Sequence, residues 1–298
     1  VRLSRRALLG LMTAGAAGLG ASGVRGGAIV RAIPSSGETL PVIGLGTWQT
    51  FDVGTAAERA SRQQVLQRFA ELGGRVVDSS PMYGRAEAVV GEVAAELGLR
   101  DRLFLATKVW TRGREAGVAQ MEASRRHLGA KVVDLMQVHN LVDWRTHLAT
   151  LRDWKQAGRI RYLGVTHYTA SAHGELESVI RTEPLDFVQL NYSLAERDAE
   201  RRLLPLAADR GVAVLVNRPF AEGGLFRRVR GRAVPPWAAE IGCRTWAQLF
   251  LKWIVAQPAV TCVIPATSRR EHLEDNMQAG LGPLPDEPTR QRIAGLLT

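Results

Sequence analysis

Short apolar runs rich in Val, Ile and Leu alternate along the chain with longer segments whose apolar positions recur every third or fourth residue. The first pattern predicts buried strands and the second predicts amphipathic helices. Strands are expected over residues 43–48, 75–78, 103–108, 132–139, 160–166, 186–191, 212–217 and 260–264. Helices are expected over 57–72, 86–97, 115–128, 143–156, 172–181, 196–210, 245–257 and 270–279, the first carrying Val65, Leu66, Phe69 and Leu72 on one stripe. Gly158 and Gly211 stand where two of these helices stop. Ahead of the series, residues 29–33 and 38–41 flank the turn formers Ser35, Ser36 and Gly37, which predicts a hairpin.

Eight strands each followed by a helix imply parallel βα units, and closing them gives an α/β fold, a (β/α)8 TIM barrel with an N-terminal β-hairpin. No linker splits the series, so residues 29–298 are expected to form one barrel. Reactive groups in such a barrel belong at the C-terminal ends of its strands.

Residues 1–28 are expected to stand apart from the barrel. Ser4-Arg5-Arg6-Ala7-Leu8-Leu9 precedes an uncharged Gly/Ala-rich stretch, a pattern similar to a bacterial twin-arginine export signal. That reading implies export machinery as a partner, a periplasmic protein, and cleavage near Ala21 or near Ala28. A disordered basic tail, a retained anchor or a cytoplasmic protein with a non-functional signal are the alternatives.

Composition then narrows the function. With 46% hydrophobic and 23% charged residues the chain is globular. A net charge of +10 raises the question of nucleic acid, but the arginines are scattered and no nucleic-acid motif occurs, so none is expected as a partner. Lysine is scarce, at positions 108, 131, 155 and 252 only. Cys243 and Cys262 lack metal-ligand spacing, the six histidines lie apart, and no metal is expected. A monomer is expected.

The strand ends carry the chemistry. Arg75-Val-Val-Asp-Ser-Ser-Pro-Met-Tyr-Gly84 runs from a strand into a loop, leaving Asp78 at the strand's end and Tyr83 in the loop. The next two strands end in Lys108 and His139. An unperturbed tyrosine, with a pKa of about 10, is a poor acid at neutral pH. A neighbouring ammonium lowers that value, and a carboxylate keeps the ammonium charged. Asp78, Tyr83, Lys108 and His139, in this order, resemble the catalytic tetrad of the aldo-keto reductases, and the resemblance covers nearly all of the chain after residue 28. It implies reduction of an aldehyde or ketone to an alcohol by hydride from NADPH, with NADH possible. Tyr83 would be the general acid, and His139 would orient the carbonyl.

The resemblance also implies a cofactor site. Thr166, His167 and Gln189 match positions at the nicotinamide end, with His167 where the family often has Asn, and Thr47 is a further cofactor-binding candidate. Asn217 stands where an aromatic ring commonly stacks on the nicotinamide. Thr267, Ser268, Arg269, Arg270, Asp275 and Asn276 match the adenosine-phosphate loop and helix, with Thr267 and Ser268 opening that helix. Ala266 and His272 replace the Lys and Arg of many members, so Arg269 and Arg270 are expected to supply the positive charge. Trp48 and Trp110 are candidates for the apolar walls of the substrate pocket. Trp144 is a candidate wall or a helix cap. A non-enzymatic cofactor-binding accessory or sensing subunit and an NAD-dependent sugar or alcohol dehydrogenase are the alternative functions.

Overall fold

The structure is a computed structural model that describes residues 24, 25 and 27–297. The twin-arginine motif expected at residues 4–9 lies outside the described residues.

Strand β1 (Val24–Arg25) pairs antiparallel with β2 (Ala28–Ala32), which pairs in turn with β3 (Thr39–Pro41) as the expected hairpin. The barrel strands follow: β4 (Leu45–Gly46), β5 (Val76–Asp78), β6 (Phe104–Val109), β7 (Val133–His139), β8 (Ile160–Thr166), β9 (Phe187–Asn191), β10 (Ala213–Asn217) and β11 (Val260–Val263). Each pairs in parallel with its neighbours in chain order. Parallel bridges Ile43↔Val263 and Gly46↔Ala266 bring the last strand back to the first. Gly46 is needed at this seam, because a Cβ there would lie 2.8 Å from the Ile264 carbonyl oxygen. The eight-strand barrel is as the periodicity implied.

Helices α1 (Ala56–Glu71), α2 (Ala86–Glu96), α3 (Arg114–His127), α4 (Trp144–Gln156), α5 (His173–Thr182), α6 (Leu203–Asp209), α7 (Gly224–Arg228), α8 (Trp246–Val255), α9 (Arg270–Gln278) and α10 (Glu287–Ala294) surround it. In α1 a capping box between Thr55 and Glu58 satisfies the first amides, and Val65, Leu66 and Phe69 are buried against the strands as their spacing required. Three helical segments differ from expectation, one of them the short α7, which falls where a loop was expected. The helix expected over 196–210 is only Leu203–Asp209, preceded by a 3-10 turn at Asp198–Arg201. Pro205 has no amide hydrogen to give, so it is tolerated only in a first turn and the helix must restart just before it. The C-terminal α10, capped by Asp286 onto the Thr289 amide, was not anticipated.

Two cores result. The larger lies between strands and helices. The smaller fills the barrel, where Phe104, Tyr162 and Phe187 pack with ring centroids 5.6–6.0 Å apart. Ile33 and Leu40 of the hairpin are fully buried beneath this layer and plug the N-terminal end. The opposite, C-terminal end is therefore the one left free for a site. Among the described residues no helix is long and apolar enough to cross a membrane.

Candidate active site

At the C-terminal end the barrel opens into a cavity of about 740 Å³, within the usual range for a small-molecule site. Asp78, Tyr83 and His139 form part of its wall, with Thr47, Thr166, Gln189 and Asn217. Among the described residues, the seven non-glycine residues with positive φ all sit in loops that follow strand ends at this rim: Gln49, Asn140, Leu141, Asp143, Arg218, Ala221 and Glu222. Left-handed backbone in such residues is uncommon, and its concentration at one rim marks functional loops.

The strand pattern explains the grouping at the base. Asp78 and His139 are the last residues of β5 and β7, and Lys108 is the penultimate residue of β6. All three side chains are buried. Lys108 Nζ donates to Asp78 Oδ2 at 2.6 Å and to the Ser79 carbonyl at 2.7 Å, and lies 5.1 Å from the centre of the Tyr83 ring. Burial works to lower the Lys108 pKa, but the charge of Asp78 and the hydrogen bonds to Asp78 and Tyr83 outweigh it, holding the ammonium above its ordinary value. Asp78 keeps its other oxygen, Oδ1, for amides: Gln189 Nε2 donates at 2.9 Å and Gln137 Nε2 at 3.2 Å. This buried ion pair is thus hydrogen-bonded on several sides, the condition under which such a pair is sustained.

Tyr83 and His139 face each other, ring centroids 5.9 Å apart and nearly perpendicular. Burial raises the Tyr83 pKa, and although the Lys108 charge pulls it down, the net direction is up. The ammonium alone was expected to lower it; desolvation of the phenolate is the stronger effect in this pocket. Burial, aided by the charges of Lys108 and His167, pushes His139 down to about 2, so its imidazole is neutral. His139 Nδ1 lies 3.1 Å from Ser80 Oγ, which already accepts from the Met82 amide at 3.4 Å. The Ser80 hydroxyl hydrogen is then free to point at Nδ1, leaving the proton of the ring on Nε2.

Of the candidate cofactor residues, Thr47 bonds the Asp78 carbonyl at 2.9 Å and Ser79 Oγ at 3.0 Å. Thr166 Oγ1 donates to Gln189 Oε1 at 3.2 Å, so these two side chains also anchor Asp78. Asn217 Nδ2 is held between the His167 carbonyl and Gln189 Oε1, both at 3.3 Å, and its buried Oδ1 has no partner. His167 is not part of the cavity wall. Its ring turns back on its own loop, where Nδ1 accepts from the Tyr168 and Thr169 amides.

The residues that resemble the family's adenosine-phosphate loop and helix lie beyond the cavity, whose wall ends at Ala266. Helix α9 begins at Arg270, as expected for the segment, with Arg269 as its N-cap, so Thr267 and Ser268 lie in the turn before it and do not open it. Thr267 Oγ1 instead accepts from the Arg269 amide at 3.1 Å and shapes the turn, and the Ser268 carbonyl accepts from Ser61 at 3.1 Å. Exposed Arg269 and Arg270 pair with Glu271 at 3.4 Å and Glu274 at 3.1 Å. Asp275 faces α8, accepting from Thr245 Oγ1 and Gln248 Nε2, and Asn276 is buried.

Trp48 and Trp110 line the cavity. Trp144 does not: it opens α4, buried, with Nε1 donating to Glu175 at 3.2 Å. Ser79, Ser80 and Gln137 were not among the expected site residues. The first two were signalled only by their place between Asp78 and Tyr83; Gln137, two residues before His139, points into the barrel by strand alternation.

Residues 42–292 match the sequence model described as the Aldo/keto reductase family. Methylglyoxal reductase YeaE of Escherichia coli (strain K12) is 30% identical over 245 residues, covering 80% of this chain and 84% of the relative. A crystal structure of an aldo/keto reductase from Klebsiella pneumoniae in complex with NADP and acetate is 28% identical, covers 88% of this chain and 93% of its own, and superposes with a TM-score of 0.76. A second from the same organism, in complex with NADPH, is also 28% identical, with coverages of 88% and 92% and a TM-score of 0.75.

Proposed function

The chain belongs to the aldo/keto reductase family, and we propose that it reduces an aldehyde or ketone to the alcohol with NADPH, Tyr83 acting as general acid. The observation that carries this reading is the buried Lys108 ammonium, bonded to Asp78 Oδ2 and the Ser79 carbonyl beside the Tyr83 ring, with His139 opposite.

The cavity fits the cofactor on its own terms. It runs from Tyr83 and His139 to Ala266 at the approach to α9, and it includes Asn217, whose buried carbonyl oxygen is unpartnered. Thr166, Gln189 and Asn217 would hold the nicotinamide end. The turn at Thr267–Arg270 would hold the adenosine phosphate on helix amides and the two arginines. When bound, NADPH supplies the hydride.

The protein's own groups handle the oxygen and its proton. A carbonyl oxygen set between the Tyr83 hydroxyl and His139 Nε2 accepts from both. His139, neutral and fixed by Ser80, orients the carbonyl and shares the negative charge that grows on oxygen. Tyr83 then transfers its proton to that oxygen. Burial keeps the phenol protonated beforehand, which suits a group that must begin as the acid. The resulting phenolate is stabilised by Lys108, and Asp78 holds Lys108 charged.

Purified protein mixed with NADPH and a panel of aldehydes should consume the reduced nicotinamide absorbance in step with alcohol formation. Dinucleotide binding without turnover of any carbonyl would instead support a sensing or accessory role. The Ser4–Leu9 pattern supports export as the setting of this activity.

A further inference from the structure

We propose that an arginine ridge on the segment after β10 is a docking surface for an anionic phospholipid bilayer. The net charge of +10 is unevenly spread: residues 1–26 carry +4, residues 224–244 carry +4 from five arginines and Glu240, and the rest of the chain nets +2. Over the whole sequence the arginines are scattered, but in this one segment they gather and the fold leaves them in solvent. Leu225 and Val229 are buried and fasten the segment to the core, while Phe226, Arg227, Arg228, Arg230 and Arg232 are exposed. Trp246 Nε1 donates to the Arg232 carbonyl at 2.9 Å, and Arg232 Nη1 donates to the Leu296 carbonyl at 2.9 Å. The chain around exposed Arg244 and Arg292 therefore packs against the same segment. Arg218 and Arg290, before and after it in the chain, are paired with Glu222 and Glu200. Among the described residues no ion pair involves Arg227, Arg228, Arg230, Arg232, Arg244 or Arg292.

Phe226 adds what a purely ionic patch lacks. It is 39% exposed, although its ring centroid lies 4.9 Å from that of Phe220 and 5.7 Å from that of Phe250, so packing behind the ring holds its free edge out. Arginines around a protruding aromatic ring suit a lipid interface. The guanidinium forks take phosphates and the ring enters the headgroup layer. A nucleic-acid strand fits less well, because it needs a track of free aromatic faces. Trp237 lies under the Arg292 guanidinium at 4.2 Å, and Trp246 packs against Arg232 and Phe250. None of the ridge arginines belongs to the cavity wall, so the surface is separate from the groups that would hold substrate. Phe220 does belong to that wall, which sets the cavity mouth next to the docked face.

Each arginine close to an anionic leaflet strengthens binding by about fivefold, and salt weakens it. The test sediments the full chain with phosphatidylcholine vesicles containing about a third phosphatidylglycerol, at low salt. Arg228→Gln combined with Arg230→Gln should cut the partition coefficient by about 25-fold. Phe226→Ser should cut it by about threefold or more. Arg126→Gln combined with Arg201→Gln removes the same charge from two exposed arginines elsewhere and should cut it by less than about threefold. Every variant keeps residues 1–26, so their basic charge contributes equally throughout, and unchanged Tm values show that the variants are folded. Equal losses in the two double variants would mean that net charge alone binds, and would overturn the proposal. So would a parent that stays in the supernatant, or a Phe226→Ser variant that binds like the parent. Tighter, ridge-dependent binding of a single-stranded oligonucleotide than of vesicles at the same salt would overturn it in favour of nucleic acid.

Discussion

Asp78→Asn isolates the ion pair at the base of the site. The substitution keeps the size of the side chain and removes its charge, leaving Lys108 with side-chain exposure of 1% and no counter-ion. Breaking a buried pair from one side costs about 3–5 kcal/mol, because the remaining charge is neither solvated nor neutralised. Gln137 and Gln189, which donate to Asp78 Oδ1, can still bond an amide oxygen, so the main loss is that of the charge. The pH dependence gives a sharper check. In the parent the Lys108 pKa is raised on folding, so its contribution is fully present below the unfolded value of about 10.4 and is lost as pH rises through the folded value. In the variant, burial no longer has an opponent and should depress the folded pKa. The variant should then gain stability as pH rises towards about 10.4, with a slope approaching about 1.4 kcal/mol per unit. Urea unfolding followed by tryptophan fluorescence at about pH 7 and about pH 9 measures both effects, provided the m-value is unchanged. A loss below about 1 kcal/mol at pH 7, with a pH slope like the parent's, would refute the assignment of Asp78 as the partner that keeps Lys108 charged.

Four further outcomes are expected. Tyr83→Phe should lower turnover by roughly 10²–10⁴ while NADPH binding by fluorescence titration stays intact, and turnover within a few-fold of the parent would remove Tyr83 as the acid. Ser80→Ala deletes the partner of His139 Nδ1, a net loss of about 1 kcal/mol, so kcat should fall roughly fivefold with the cofactor dissociation constant unchanged; an unaltered kcat would show that the imidazole is oriented without it. Arg269→Ala and Arg270→Ala should each weaken NADPH by about ten- to hundredfold and NADH little, because exposed pairs with Glu271 and Glu274 are weak competitors for a phosphate; equal loss for both dinucleotides would make the arginines loop supports. Arg5→Lys combined with Arg6→Lys should hold the precursor in the cytoplasm, and normal recovery of the doubly substituted protein in the exported fraction would contradict the twin-arginine reading.

Much of the barrel could be read from the chain, because a strand buried on both faces and a helix buried on one leave periodic marks in the residues themselves. Asp78, Lys108 and His139 were legible for the same reason: a polar residue closing an apolar run must lie at a strand end, and in a parallel barrel the strand ends meet. The hairpin was written in its turn residues. What the chain could not show was how side chains divide their hydrogen bonds once brought together. Position alone gave Gln189, Thr166 and His167 similar standing, yet the fold spends Gln189 on Asp78, Thr166 on Gln189, and turns His167 out of the cavity onto its own loop. Trp48, Trp110 and Trp144 were alike as apolar candidates, and only packing put the first two on the cavity and the third beneath Arg145 against α5. The acidity of Tyr83 followed the same division. Its neighbours in sequence order suggested an ammonium that lowers its pKa, but desolvation depends on what covers the ring, and covering is decided by tertiary structure alone.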